Sequence, residues 1–200
     1  MANGDLTTLM NAKAWLNVPS NITADDAMLG RLITAASQFV QTYLNRTIAS
    51  TTYSERHTGS GSNTLALPNY PISAVSSVAI RGVPIAASPD GVQVGYTFDE
   101  RFLYLIGNVG FSSFPNGADG QFPKWPPLAV QVSYTAGYTS TPFDIEQAAL
   151  ELIGLKYAGD RTHFGQVSKT VNGEVVSFSM ADMPASVKTL LNNYRKVIPV

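Results

Sequence analysis

The chain has no cysteine. A disulfide framework, thiol catalysis and zinc–thiolate sites are therefore excluded. Charged residues are scarce at 14%, against a usual ~25%, and Gly, Ser, Thr, Asn and Pro fill the polar positions instead. A weakly charged surface protects less well against self-association than a highly charged one. That suits a subunit of an assembly, and it equally suits a merely polar surface. The net charge is −1, so no basic field invites nucleic acid or anionic lipid. No apolar run approaches the ~20 residues of a membrane span, and MANGDLTTLM lacks the basic and apolar regions of a signal peptide. The expectation is a protein that stays off membranes and is made in a cytoplasm.

There are two histidines, His57 and His163. They occur in neither HxH nor HExxH spacing, so we expect no metal site and no cofactor. GxSxG, P-loop and GxGxxG patterns are absent as well. Asp99-Glu100 could give one carboxylate of a glycosidase pair, with Asp119 or Glu55 as the other. Adjacent acids in a Phe-Asp-Glu-Arg turn are more often a solvated hairpin end. The expectation is no catalytic residues.

What is present is architecture. A hydrophobic fraction of 44% over 200 residues can build a sizeable core. Asp5–Leu16 reads as a short helix, with Leu9, Ala12 and Leu16 at helical spacing, stopped by Pro19. Thr23-Ala24-Asp25-Asp26 resembles a capping box, with the Thr23 hydroxyl as cap and two carboxylates at the positive helix end. A long helix then runs to about Asn45, roughly 33 Å. Its apolar stripe is Leu29, Leu32, Ile33, Ala36, Phe39, Val40, Tyr43 and Leu44.

From Ser50 the texture turns to strands and turns. Thr51–Ser54, Leu65–Pro68, Ala74–Ile80, Val92–Thr97, Phe102–Ile106 and Ala129–Tyr134 read as strands. Gly59–Ser62 is a flexible tip, and Arg81-Gly82 and Pro89-Asp90-Gly91 are turns. Residues 107–127 form an unusually long Gly/Pro/aromatic loop. Its Phe111, Phe114, Phe122 and Trp125 either form a contact surface or cap the strands' own core. A docking loop would have this composition.

Thr141 then caps a third helix with Pro142 at its start, reaching about Ala158. Ile145, Ala148, Ala149, Leu152, Ile153 and Lys156 form its face. Val167–Val171 and Glu174–Phe178 flank Asn172-Gly173, a strong hairpin signal. Two strands alone are marginal, so the hairpin should lean on the body or on a neighbouring subunit. Pro184 opens a last helix with Val187, Leu190, Leu191 and Tyr194 in register. The expected fold class is α+β: a small bundle of four helices, with a β-rich insertion between helices 2 and 3 and a β-hairpin between helices 3 and 4. The expected division is a helical body (1–50 and 136–200, with hairpin 167–178) and an inserted β-rich subdomain (51–135).

By region, residues 1–50 hold three basic and three acidic side chains, 51–150 four and seven, and 151–200 six and four. A negative middle and a slightly positive end could complement each other between neighbouring subunits. The C-terminal cations are Lys156, Arg161, Lys169, Lys188, Arg195 and Lys196. Taken singly, each reads first as a solvated charge.

Several segments together resemble the head–tail connector proteins of long-tailed bacteriophages, also called adaptor or head-completion proteins. They are Leu6–Val18 followed by Asp25–Ile48 with its Tyr43-Leu44-Asn45-Arg46 ending, and Leu67–Ile72 with Val75 and Val78. They continue with Val132–Tyr138 followed by Pro142, Asp144, Ile145 and Ala148. Ser168, the Gly173–Ser179 hairpin and Leu190–Arg195 close the series. The 107–127 loop has no counterpart in that pattern.

The resemblance implies a virion protein of the neck, assembled in the host bacterial cytoplasm. It implies a homo-oligomeric ring, commonly twelvefold, beneath the portal protein. Such a ring extends the DNA channel, helps retain the genome and docks the next neck or tail-completion protein. Double-stranded DNA would pass through without specific contact, and near-neutral charge suits that passage. Portal and inter-subunit contacts would then fall on Lys156, Arg161, Ser168, Lys169, Asn172, Gly173, Glu174, Tyr194, Arg195 and Lys196. The alternative is a glycan- or protein-binding module of a virion protein, acting through the aromatic loop 107–127.

Overall fold

A computed structural model describes residues 4–107, 120–162, 168–171, 174–177 and 183–196. The Asn172-Gly173 turn, Phe111, Phe114, Asp119 and His163 lie outside the described residues. The chain divides into two compact units, Met1–Ala49 with Ser140–Val200, and Ser50–Thr139.

The first unit is helical: α1 (Leu9–Trp15), α2 (Asp26–Leu44), α3 (Phe143–Thr162) and α4 (Ala185–Asn192), with a hairpin of β8 (Ser168–Val171) and β9 (Glu174–Ser177) before α4. The short first helix begins later than its apolar spacing suggests. Thr8 caps it, accepting from the Asn11 N–H at 3.1 Å. The preceding residues stay out of the helix because their polar groups are taken. The Leu6 N–H donates to Ser37 Oγ (2.9 Å), and Thr7 Oγ1 and Asn11 Nδ2 both donate to Glu146 Oε1 (2.8 and 2.7 Å).

The long helix starts at Asp26 without the expected Thr23 hydroxyl cap. Instead the Thr23 carbonyl accepts from the Asp26 N–H. The helix ends at Asn45, whose φ of 54° is left-handed and whose N–H closes the last turn, a conformation asparagine tolerates well. Its core face is Leu29, Ile33, Ala36, Ser37, Val40 and Leu44. Phe39, expected in the stripe, is 37% exposed, because the buried face is narrower than the apolar one. On α3, Ile145, Ala148, Ala149, Leu150, Leu152 and Ile153 are buried, whereas Lys156 points to solvent. α4 adds Val187 and Leu191.

The second unit holds two antiparallel sheets. The first has the order β1 (Thr51–His57), β7 (Val130–Ala136), β3 (Ile72–Ile80), β4 (Val83–Ile85). The second has the order β2 (Thr64–Ala66), β6 (Phe102–Ile106), β5 (Gly95–Phe98). Val130, Val132, Tyr134 and Ala136 alternate inward along β7, the central strand. They share one core with Leu65, Leu67, Leu103 and Leu105 from the other sheet.

On β3, Val75 and Val78 are three residues apart, yet both serve that core. A register shift between Val75 and Ser77 supplies the extra residue that makes this possible. β4 escapes sequence reading because Pro84 interrupts it; proline is tolerated there because β4 is an edge strand. Arg81 and Gly82, with φ of 53° and 82°, form the tight hairpin turn between β3 and β4.

Candidate functional site

Among the described residues no group of three metal-ligating side chains occurs, and no helix is long and apolar enough to cross a membrane. Asp99, a candidate carboxylate, accepts from the Arg101 and Phe102 N–H groups at 2.7 Å each and from Tyr104 Oη at 2.7 Å. These bonds, with the Arg101 N–H foremost, hold its carboxyl below the ordinary 3.8. A general acid needs the reverse shift. Asp90 is likewise consumed by its own turn: the Gln93 and Val92 N–H groups lower it to about 2.

Glu55, the other candidate, accepts from Tyr134 Oη (2.8 Å) and Asn69 Nδ2 (3.2 Å), and Asn69 also donates to Tyr134 Oη (3.0 Å). His57 Nε2 lies 3.3 Å from Glu55 Oε2 but without hydrogen-bond geometry. This cluster satisfies a buried phenol and is structural. Tyr53 stacks on the same Tyr134 ring at 5.4 Å.

Burial, first of all, pushes the Tyr134 phenol far above its ordinary 10.0. A group whose folded pKa is raised stabilises the fold fully below its unfolded value, and that contribution is lost as pH rises. We therefore expect the β unit to lose stability as pH climbs above 10.0. Tyrosinate absorbance followed beside circular dichroism checks this. Ionisation of all nine tyrosines before any unfolding would contradict it. Tyr134→Phe should cost about 1 kcal/mol at neutral pH.

What the structure does present is surface. Of the sequence's aromatic loop, Phe122 is fully buried in the β core while Trp125 is 75% exposed. The two readings of that loop thus divide between two of its residues: Phe122 caps the core and Trp125 faces solvent. The segment is pinned by bonds from the Phe122 N–H to Ser62 O (2.8 Å), the Gly61 N–H to Phe122 O (2.8 Å) and the Gly59 N–H to Pro123 O (3.1 Å). Residues 59–62, expected as a free tip, are therefore an anchored clasp. Gly59 is needed there, since a Cβ would meet the Phe122 carbonyl well inside contact distance.

In the helical unit, the expected contact residues have divergent fates. Lys156 is exposed on α3. Arg161 falls in α3, Ser168 and Lys169 in β8, and Glu174 in β9. Tyr194 Oη donates to Asp144 Oδ2 (3.2 Å), which ties the chain after α4 to the start of α3. The Arg195 guanidinium lies 5.2 Å from the Tyr43 ring centre, and the Lys196 N–H donates to Leu44 O (2.9 Å). Tyr194, Arg195 and Lys196 therefore hold the bundle together, and of the three Arg195 is also exposed. Sequence reading missed an apolar surface on this unit: Met10, Trp15, Phe143 and Leu155 are 46–87% exposed.

No curated protein matches the chain significantly. Among the solved structures that share its fold are three that are each 18% identical, the match covering 100% of this chain and 94% of theirs. One is from the neck of an empty gene transfer agent (GTA) particle computed with C6 symmetry (TM-score 0.60). One is from the virion of the native GTA particle (0.57), and one is from its neck computed with C12 symmetry (0.57). The model of one protein family, head completion protein, matches residues 5–110 and 111–197. With nearly its whole length matched by that model, the chain belongs to the head completion protein family.

Proposed function

We propose that this chain is a ring-forming connector subunit of the virion neck. In this reading copies assemble beneath the portal protein, extend the DNA channel, help retain the packaged genome and dock the next neck or tail-completion protein. The family makes it a structural, non-enzymatic component of head completion. The observation that carries the neck assignment is the end-to-end fold likeness to chains from GTA necks, one of them computed with C12 symmetry. An overall charge of −1 supports passage of DNA, because strong phosphate binding would hold the genome in the channel.

Portal and inter-subunit contacts fall, on this proposal, to the exposed Lys156 and Arg195 and to the hairpin with Ser168, Lys169 and Glu174. Imaging and native mass spectrometry of the purified protein over a concentration series, alone and with portal, test it. Closed rings with a central hole are expected. A strict monomer that also fails to join portal would overturn the reading. Replacing Asn172-Gly173 with Val-Val should block incorporation into particles while the helices stay folded, and normal incorporation would remove the hairpin from the contact.

A further inference from the structure

The β unit is two-ended in chemistry. β3 runs for nine residues, which separates its ends by roughly 26 Å. At the first end the Ile72 N–H donates to Glu100 O (2.9 Å), which fixes the β5–β6 turn beside it. That turn exposes Phe98 and Phe102, each at 37%, on either side of Glu100. Asp99 is used up within the turn, and Arg101 lies 4.5 Å from the Tyr70 ring centre.

At the second end the Arg81 N–H donates to Ala129 O (2.8 Å), and Arg81 Nη2 donates to Trp125 O (2.8 Å). This brings together Trp125, Leu128 at 56% exposure, the Arg81 guanidinium and Lys124, whose stem lies over Gly61. Leu128 is held at φ 59°, an unfavourable region for a leucine, with its N–H donating to Thr58 Oγ1 (2.9 Å). The fold thus holds a strained residue in place with its apolar side chain in water.

Among the described residues, Glu100 and Lys124 enter no ion pair. Among the described residues of this unit, the carboxylates of Glu55, Asp90 and Asp99 are hydrogen-bonded within it.

We infer that these two ends are the halves of one contact between copies of this chain. The Phe98–Phe102 turn of one copy seats against the Arg81–Trp125–Leu128 end of the next, with Glu100 facing Arg81 and Lys124. The inference rests on the ring reading above. Rings larger than dimers need two different, complementary patches on each subunit. Like ends repel, which disfavours a two-fold pair, while opposite ends attract and fix register. Aromatic and arginine side chains are the usual anchors of such contacts.

The absence of cysteine permits a clean test. A Glu100→Cys, Lys124→Cys double variant cannot close a disulfide within one copy, because its cysteines lie far beyond the ~7 Å limit between Cα atoms. Under oxidation it should give a ladder of covalent multimers, whereas each single variant gives dimers at most. Glu100→Lys should raise the concentration needed for rings by about tenfold. Arg81→Glu with Lys124→Glu should do the same, and combining all three should restore assembly. Rings without a ladder, or no rescue by the combined swap, would overturn this contact and leave the ring reading intact. Monomers throughout, with portal as well as without, would overturn both. If Trp125→Ala kept rings intact but prevented the next neck component from joining, the basic end would belong to that partner and the inference would fail.

Discussion

Phe122→Ala should cost the β unit about 3–5 kcal/mol, the range for deleting a fully buried aromatic ring. Phe122 is 0% exposed within the core cluster shared by the two sheets. It also anchors the clasp of backbone bonds to residues 59–62, so its loss frees the segment that carries Trp125. Gly59→Ala attacks the same joint from the other side. Its Cβ would strike the Phe122 carbonyl and carbon backbone, and backbone cannot step aside as a flexible side chain can. The two substitutions should therefore be strongly non-additive.

The measurement is denaturant unfolding of the full chain followed by fluorescence. The chain has two tryptophans, Trp15 in the helical unit and Trp125 in the β unit, so a Trp15→Phe background makes Trp125 the reporter of the β unit. A loss below about 1 kcal/mol for Phe122→Ala would mean that the core closes without the ring. For function, the same variant should lose whatever contact the Trp125 end makes while the helical unit stays folded.

The second large effect concerns Lys13. This lysine is 6% exposed and pairs with Asp26 at the start of α2. Its ammonium also donates to Ile22 O (2.8 Å) and Ser20 O (3.4 Å), which closes the turn between α1 and α2. Asp26→Asn leaves the ammonium buried without its countercharge and should cost about 3 kcal/mol. That is the low end of the range for broken buried pairs, since the Asp26 side chain is 30% exposed and two carbonyls remain. Lys13→Met combined with Asp26→Asn should recover most of the loss, because an apolar replacement of a buried pair is often near neutral. A double-mutant cycle from thermal or urea unfolding reads the coupling. Equal losses for Asp26→Asn with and without Lys13→Met would show that the pair does not act as a unit.

How far the sequence could be read differs by element. The helices were legible because each carries a 3.6-residue apolar period, and three also have a boundary residue: Pro19 after α1, left-handed Asn45 after α2 and Pro184 before α4. Where local reading misjudged them, a tertiary partner was the cause. Residues 5–7 fit a helix by spacing, but Ser37 and Glu146 take their polar groups. Thr23 fits a cap, but the chain enters α2 through Asp25. Lys13 and Ser37 look like surface residues, yet both are buried, since each meets its partners from residues distant in sequence or across a turn. In the β unit, Val130, Val132 and Tyr134 announced their strand by alternation. β3 did not alternate cleanly, because a bulge sits within it, and β4 was hidden by Pro84.

By itself, then, the sequence determined the order of elements, the two textures of the chain, the exclusion of thiol chemistry and the likeness to a virion family. These depend on local periods, turn residues and composition, which act over a few residues. The tertiary structure alone decided that Phe122 faces the core and Trp125 the solvent, three residues apart in one segment. It also decided that Tyr194 and Arg195 brace the bundle, and that Glu100 and Lys124 stand at opposite ends of β3. Burial and charge placement arise from strand register and from contacts between residues far apart in the chain, and no local pattern encodes those.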